Sequence, residues 1–130
     1  MVIILIKTDS HYTVNRDRVR QRIVDVLGKK GVKVKTEVSI VIAGDRLMRK
    51  LNHEYRSIDE TTDVMSFPLL EVSSKKPFVD APDGILRLGD IIISYPQAID
   101  EAIEENKLVD DKIDELIEHG LLHLLGQHHN

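Results

Sequence analysis

The residues best suited to chemistry lie near the end of the chain, in His119-Gly120-Leu121-Leu122-His123-Leu124-Leu125-Gly126-Gln127-His128-His129. His119 and His123 are four apart. On a helix that spacing sets two imidazoles one turn apart on one face, and two ring nitrogens can then reach one divalent ion at about 2.0–2.1 Å. Gly126 falls where a left-handed C-cap would close the helix and turn the chain back. That turn would bring a third histidine toward the pair, either His128 or His129. The two are adjacent and do not easily both point inward. Three histidines leave a tetrahedral ion one open position, which marks a catalytic rather than a structural zinc site. An isolated i,i+4 pair arises by chance, and a terminal His-His can be a tag remnant. Four histidines in the eleven residues 119–129, around a helix-ending glycine, favour metal binding over both. There are no cysteines, so any metal falls to His, Asp or Glu. Zinc is the first expectation, and other divalent transition metals also accept three imidazoles.

The pattern H-x-x-x-H-x-x-G-x-x-H also matches the metzincin proteases, where a Glu after the first histidine is the general base. Here that position is Gly120, so peptide hydrolysis by that route loses its base. Glu118 precedes His119 and projects elsewhere around the helix. His11 and His53 stand alone on polar stretches and read as surface histidines. Ser66 has no base placed near it by sequence. Thr62, Asp63 and Asp90 read as turn or strand residues.

The elements that must position the histidines follow from apolar periodicity. Val2–Lys7 is a β-branched run of strand length. Thr13 or Asn15 caps a helix whose Val19, Ile23 and Leu27 form one stripe and whose end lies near Gly28 and Gly31. Thr36–Ala43 is a strand, and Asp45 then caps a helix through Tyr55. Val64–Phe67 is a short strand stopped by Pro68, and Glu71–Gly84 is a loop. Ile85–Ser94 is a strand whose Gly89 signals a bulge or close backbone approach. Pro96 opens a helix to about Asn106. Asp110 or Asp111 caps the last helix, which runs through Leu125. The order β-α-β-α-β-loop-β-α-α predicts one α+β domain over residues 1–130, a small mixed four-stranded sheet with four to five helices.

The hydrophobic fraction of 42% supports an ordinary core and excludes a disordered chain. No apolar run approaches the ~18 residues of a membrane span. Val2–Ile6 is too short for a signal sequence, so a cytoplasmic location is the default and no membrane partner is expected. The net charge of −4 argues against a dominant nucleic-acid surface, although charge is uneven. Arg16, Arg18, Arg20, Arg22, Lys29 and Lys30 crowd the first third, while Asp100–Glu118 is acid-rich. The simpler reading of that basic cluster is a solvated helix surface.

Three blocks resemble the YbeY family of bacterial endoribonucleases, the rRNA maturation factors. The tail from His119 to His129 is similar to the family's H-G-x-L-H-L-x-G-x-D-H. Asn52-His53-Glu54-Tyr55-Arg56, followed by Thr62-Asp63-Val64-Met65-Ser66-Phe67-Pro68, is similar to N-x-x-[YF]-R and T-D-V-L-S-F-P. Leu88-Gly89-Asp90-Ile91-Ile92-Ile93-Ser94 is similar to L-G-D-I-x-I-S. Order and separation agree across residues 45 to 129. The resemblance implies an α+β sandwich with a metzincin-like metal helix, and zinc on His119, His123 and His129. It implies cleavage of single-stranded RNA in 3′-end maturation of small-subunit rRNA, with a part in ribosome quality control. Arg56 matches the family's functional arginine. Without the resemblance, Arg56 would read as a surface ion pair with Glu54 or Asp59. Two departures stand out: His128 replaces the family's Asp before the last histidine, and family members continue with a C-terminal segment past the position of Asn130. Aromatics make up 4% of the chain, so backbone and shape recognition of RNA is expected over base stacking. The arginines of the first helix are the candidate RNA contacts, the ribosome or a small-subunit ribosomal protein is an expected partner, and DNA is not. Two alternatives remain open: a metallohydrolase of protease type, and a non-catalytic ribosome-associated zinc module.

Overall fold

The computed structural model describes residues 2–9, 11–55, 63–68 and 84–129, without the side chains of residues 52, 55 and 127–129. In chain order the elements are β1 (Val2–Thr8), α1 (Arg16–Lys29), β2 (Thr36–Ala43), α2 (Asp45–Tyr55), β3 (Val64–Pro68), β4 (Leu86–Ser94), α3 (Tyr95–Glu105) and α4 (Val109–His129). The sheet order is β1-β2-β4-β3. β1, β2 and β4 run parallel, and β3 lies antiparallel to β4 at an edge. This is the expected α+β arrangement on a mixed four-stranded sheet. Pro68 closes β3 as its last residue rather than lying beyond it. An edge strand has an unpaired side and can accommodate a proline.

Strand alternation divides the core in two. Val38, Ile40 and Ile42 of β2, with Ile91 and Ile93 of β4, meet α1, α3 and α4 through Val19, Ile23, Ala98, Ile117 and Leu121. Val41, Ala43, Met65 and Ile92 sit among Leu47, Met48 and Leu51 of α2. The sheet therefore separates α2 from the other three helices.

Local chemistry sets the element ends. Asn15, not Thr13, caps α1, its side chain accepting from the Arg18 N–H at 3.0 Å. Asp45 is the first residue of α2 rather than its cap. The residue before it is Gly44, whose N–H donates to the Asp9 carboxylate at 2.8 Å. A Cβ on Gly44 would lie 3.0 Å from the Tyr12 hydroxyl and 3.2 Å from Asp9 Oδ2, so the close approach favours glycine. Gly89, at φ 131, accompanies a break in register where Glu37 pairs with Arg87 and Val38 with Gly89, leaving Leu88 as the extra residue. The glycine in this strand thus marks a bulge. Ser94 caps α3, and Asn106 ends it in the left-handed region at φ 62. α4 opens at Val109, with Asp110 and Asp111 inside its first turn rather than at a cap. Among the described residues no helix is long and apolar enough to cross a membrane.

Candidate metal centre

α4 carries the histidine pair. Its buried positions Ile113, Leu116, Ile117, Gly120, Leu121, Leu124 and Leu125 recur at helical spacing and face the sheet and its neighbouring helices. The opposite side, with Glu115, His119, Leu122 and His123, is exposed. The two imidazoles therefore stand one turn apart on the solvent side of a helix anchored by its other face.

Gly120 sets how closely that helix lies on the sheet. A Cβ there would fall 2.9 Å from Cγ2, 3.2 Å from Cγ1 and 3.3 Å from Cδ1 of Ile91, itself fully buried in β4. The residue after the first histidine is thus pressed against the core. A glutamate at 120 could not be housed in this packing, which adds a steric reason to the missing base of the protease reading. Glu118 is held away by Arg22, whose Nη1 donates to Oε1 at 3.3 Å.

The end of the last helix differs from expectation. The sequence reading ended the last helix at Leu125 with a left-handed Gly126, but α4 continues through Gly126 to His129. Gly126 is not among the glycines of positive φ. Glycine permits that cap without enforcing it, and the position that would supply the cap's hydrophobic contact is Gln127. Along a continuous helix the backbones of His123 and His129 are separated by about 9 Å axially. Among the described residues, no group of three His, Asp or Glu side chains is placed to hold a metal. The His128 and His129 side chains lie outside the described residues, as does Arg56. In this backbone, then, His119 and His123 fit as two donors of a metal site. A third from His129 requires the last turn, from Gly126 onward, to open.

The basic first helix also carries bonds that pack it into the fold. Arg18 Nε donates to Asp114 Oδ2 at 2.8 Å and Arg18 Nη2 to Asp111 at 2.5 Å, while Arg22 pairs with Asp114 at 3.5 Å. Asp114 is buried. Hydrogen bonds from Arg18 to the Asp111 and Asp114 carboxylates raise its pKa above the ordinary value. Arg16 donates to the Ile6 carbonyl at 2.9 Å. Three of the four arginines expected to meet RNA therefore hold α1 to α4 and to β1. Across α4, the buried Lys112 ammonium donates to Glu105 and Glu115 at 3.0 Å and lies 3.3 Å from Glu101. Burial lowers its pKa, but bonds to Glu115, Glu105 and Glu101 outweigh that and hold it above the usual lysine range. Glu101 is pushed up by burial first and then by the Asp63 carboxylate, against the pull of Lys112. Asp63 also accepts from the Ser94 N–H through its carbonyl at 2.9 Å. Its observed contacts fit a turn residue at the head of β3.

The family model described as endoribonuclease YbeY matches residues 5–130. The chain belongs to this family. It is 42% identical over 100 residues to the endoribonuclease YbeY of Dehalococcoides mccartyi, covering 73% of this chain and 58% of that one. With the Anaeromyxobacter endoribonuclease YbeY the identity is 40% over 112 residues, covering 86% and 53%. With that of Moorella thermoacetica it is 41% over 100 residues, covering 77% and 64%. The chain thus spans a little over half to just under two thirds of the length of these curated YbeY relatives. The fold is similar to the solution structure of a Thermotoga maritima protein, with a TM-score of 0.58 and 22% identity over 94% of this chain and 71% of that one.

Proposed function

We propose that this chain is a zinc-dependent, single-strand-specific endoribonuclease acting in 3′-end maturation of small-subunit rRNA and in ribosome quality control. It works in the cytoplasm, with the ribosome or a small-subunit ribosomal protein presenting the substrate. The observation that carries the reading is the exposed His119–His123 pair, one turn apart on a helix seated by Gly120, in a chain of the YbeY family.

His119, His123 and, with the last turn of α4 opened, His129 would hold the ion, which would supply Lewis acidity at a phosphoryl oxygen. The chain does the rest. The buried face of α4 fixes the pair against β4, so their separation does not depend on a loop. Their exposure admits a polymer rather than a small molecule enclosed in a cavity. Arg56 contacts a phosphate, for which its planar fork is suited. A protease using the same ligands is disfavoured because position 120 has no room for a base. A non-catalytic zinc module would need a fourth protein ligand, such as His128.

The test is cleavage of a single-stranded RNA beside its duplex. The expected result is internal cleavage of the single strand alone, abolished by a chelator, restored by zinc and absent in His123→Ala. Zinc-loaded protein that leaves single-stranded RNA intact would overturn the proposal.

A further inference from the structure

With Arg16, Arg18 and Arg22 of α1 engaged by carboxylates and a carbonyl, other exposed cations are open to the proposed RNA. On α2, Arg46, Arg49, Lys50 and His53 are all exposed. Their spacing of i, i+3, i+4 and i+7 places them on one face of that helix. The opposite side is fixed by Leu47, Met48 and Leu51 against the sheet. The face is therefore held outward by packing.

The cations of this row are left unpaired among the described residues, as are Arg20, Lys29, Lys30 and Lys33, and what sets the α2 row apart is its place on one outward face of a helix packed over β3 and β4. Arg18, Arg22, Arg87, Lys107 and Lys112 each have a carboxylate within 4.0 Å. Arg46, Arg49 and Lys50 have none among the described residues, although Asp45 and Glu54 share their helix. Among the described residues, a chain of net charge −4 thus keeps a row of cations without carboxylate partners on the one helix that stands on its side of the sheet. The row has a route to the histidines. α2 packs over Ile92 and Met65, while Gly120 of α4 rests on Ile91, the strand neighbour of Ile92 and the pairing partner of Ser66. The two surfaces stand back to back across β4 and β3, and β3 is the sheet's edge.

We propose that Arg46, Arg49 and Lys50 form a phosphate track for single-stranded RNA that leads around the β3 edge to the histidine pair. This rests on the ribonuclease reading and adds where the substrate's backbone is held. Contacts to phosphate position a strand without reading its sequence, consistent with the scarcity of aromatics.

The test is binding of a short fluorescent single-stranded RNA, with chelator present to prevent cleavage, across a range of salt. Each phosphate contact contributes about 0.7 to the slope of log affinity against log salt for a single strand. The triple variant Arg46→Gln, Arg49→Gln, Lys50→Gln is expected to flatten the slope by about 2, so that, with affinities equal at 1 M salt, it binds roughly 100-fold more weakly than wild type at 0.1 M. The control removes equal charge at Lys29→Gln, Lys30→Gln, Lys33→Gln. These exposed lysines lie near the other end of β2, whose eight residues span roughly 23 Å. The control is expected to keep the wild-type slope. An unchanged slope in the α2 variant, or equal flattening in both, overturns the track. Wild-type protein that binds no single-stranded RNA overturns the ribonuclease reading itself.

Discussion

Replacing Gly120 with alanine sets two helix effects against each other. Alanine is favoured over glycine in a helix interior by about 1 kcal/mol. Here its Cβ would lie 2.9 Å from Ile91 Cγ2, with two further Ile91 carbons at 3.2 and 3.3 Å. Carbon pairs pack best at about 3.5–4.0 Å. Ile91 is fully buried, and the contact involves carbons near its own backbone, so the helix must lift rather than the side chain move aside. Overpacking of this kind costs about 1–3 kcal/mol. A 2.9 Å contact belongs in the upper half of that range, about 2–3 kcal/mol, so after the propensity gain of about 1 kcal/mol Gly120→Ala is expected to lose about 1–2 kcal/mol. Urea unfolding followed by circular dichroism reads this as a lower midpoint at unchanged slope. The sign should invert in an Ile91→Ala background. That variant alone loses about 2–5 kcal/mol to the cavity, and the added methyl would enter vacated space. Gly120→Ala that is as stable as wild type, or equally destabilising in both backgrounds, would refute the account of how α4 is seated.

Gly126→Ala should do the opposite, since a Cβ there meets nothing within 4 Å. It is expected to stabilise the metal-free chain by about 0.5–1 kcal/mol in urea unfolding, and to weaken zinc binding by calorimetry, because the last turn of α4 becomes harder to open. Asp114→Ala strips Arg18 and Arg22 of a buried partner and should cost about 1–3 kcal/mol by urea midpoint. On acidification, Glu105 and Glu115 are held below the ordinary 4.5 by their bonds to Lys112 and Lys107. Their stabilisation is full above about pH 4.5 and is lost as pH falls through the depressed values. Glu101, raised by burial and Asp63, opposes this, gaining stability as pH falls through its own value. Wild type should therefore lose stability below about pH 4.5 more steeply than Lys112→Met, and equal acid slopes in urea midpoints would contradict the role given to Lys112.

Most of the fold was legible in the sequence because strand alternation and helical apolar spacing are local signals. The Gly89 bulge and the opening of α3 at Pro96 belong to the same class. The α2 cap was misread because its carboxylate, Asp9, comes from the end of β1, and only the parallel pairing of β1 with β2 brings it to Gly44. The ion pairs of α1 were not legible because their carboxylate partners lie more than ninety residues away, on α4. The end of α4 was misread because glycine allows two backbones and the sequence does not choose between them. The cationic spacing on α2 was readable throughout, but not its lack of partners, which depends on tertiary contacts. His119 and His123 were legible because four residues on one helix fix their geometry without help from the rest of the chain.

The central claim is that these histidines hold a metal. Elemental analysis of protein purified without an affinity tag, wild type beside His123→Ala, tests it most directly. The account predicts one zinc per chain, lost in the variant. Wild-type protein that carries no metal and fails to bind added zinc would contradict it.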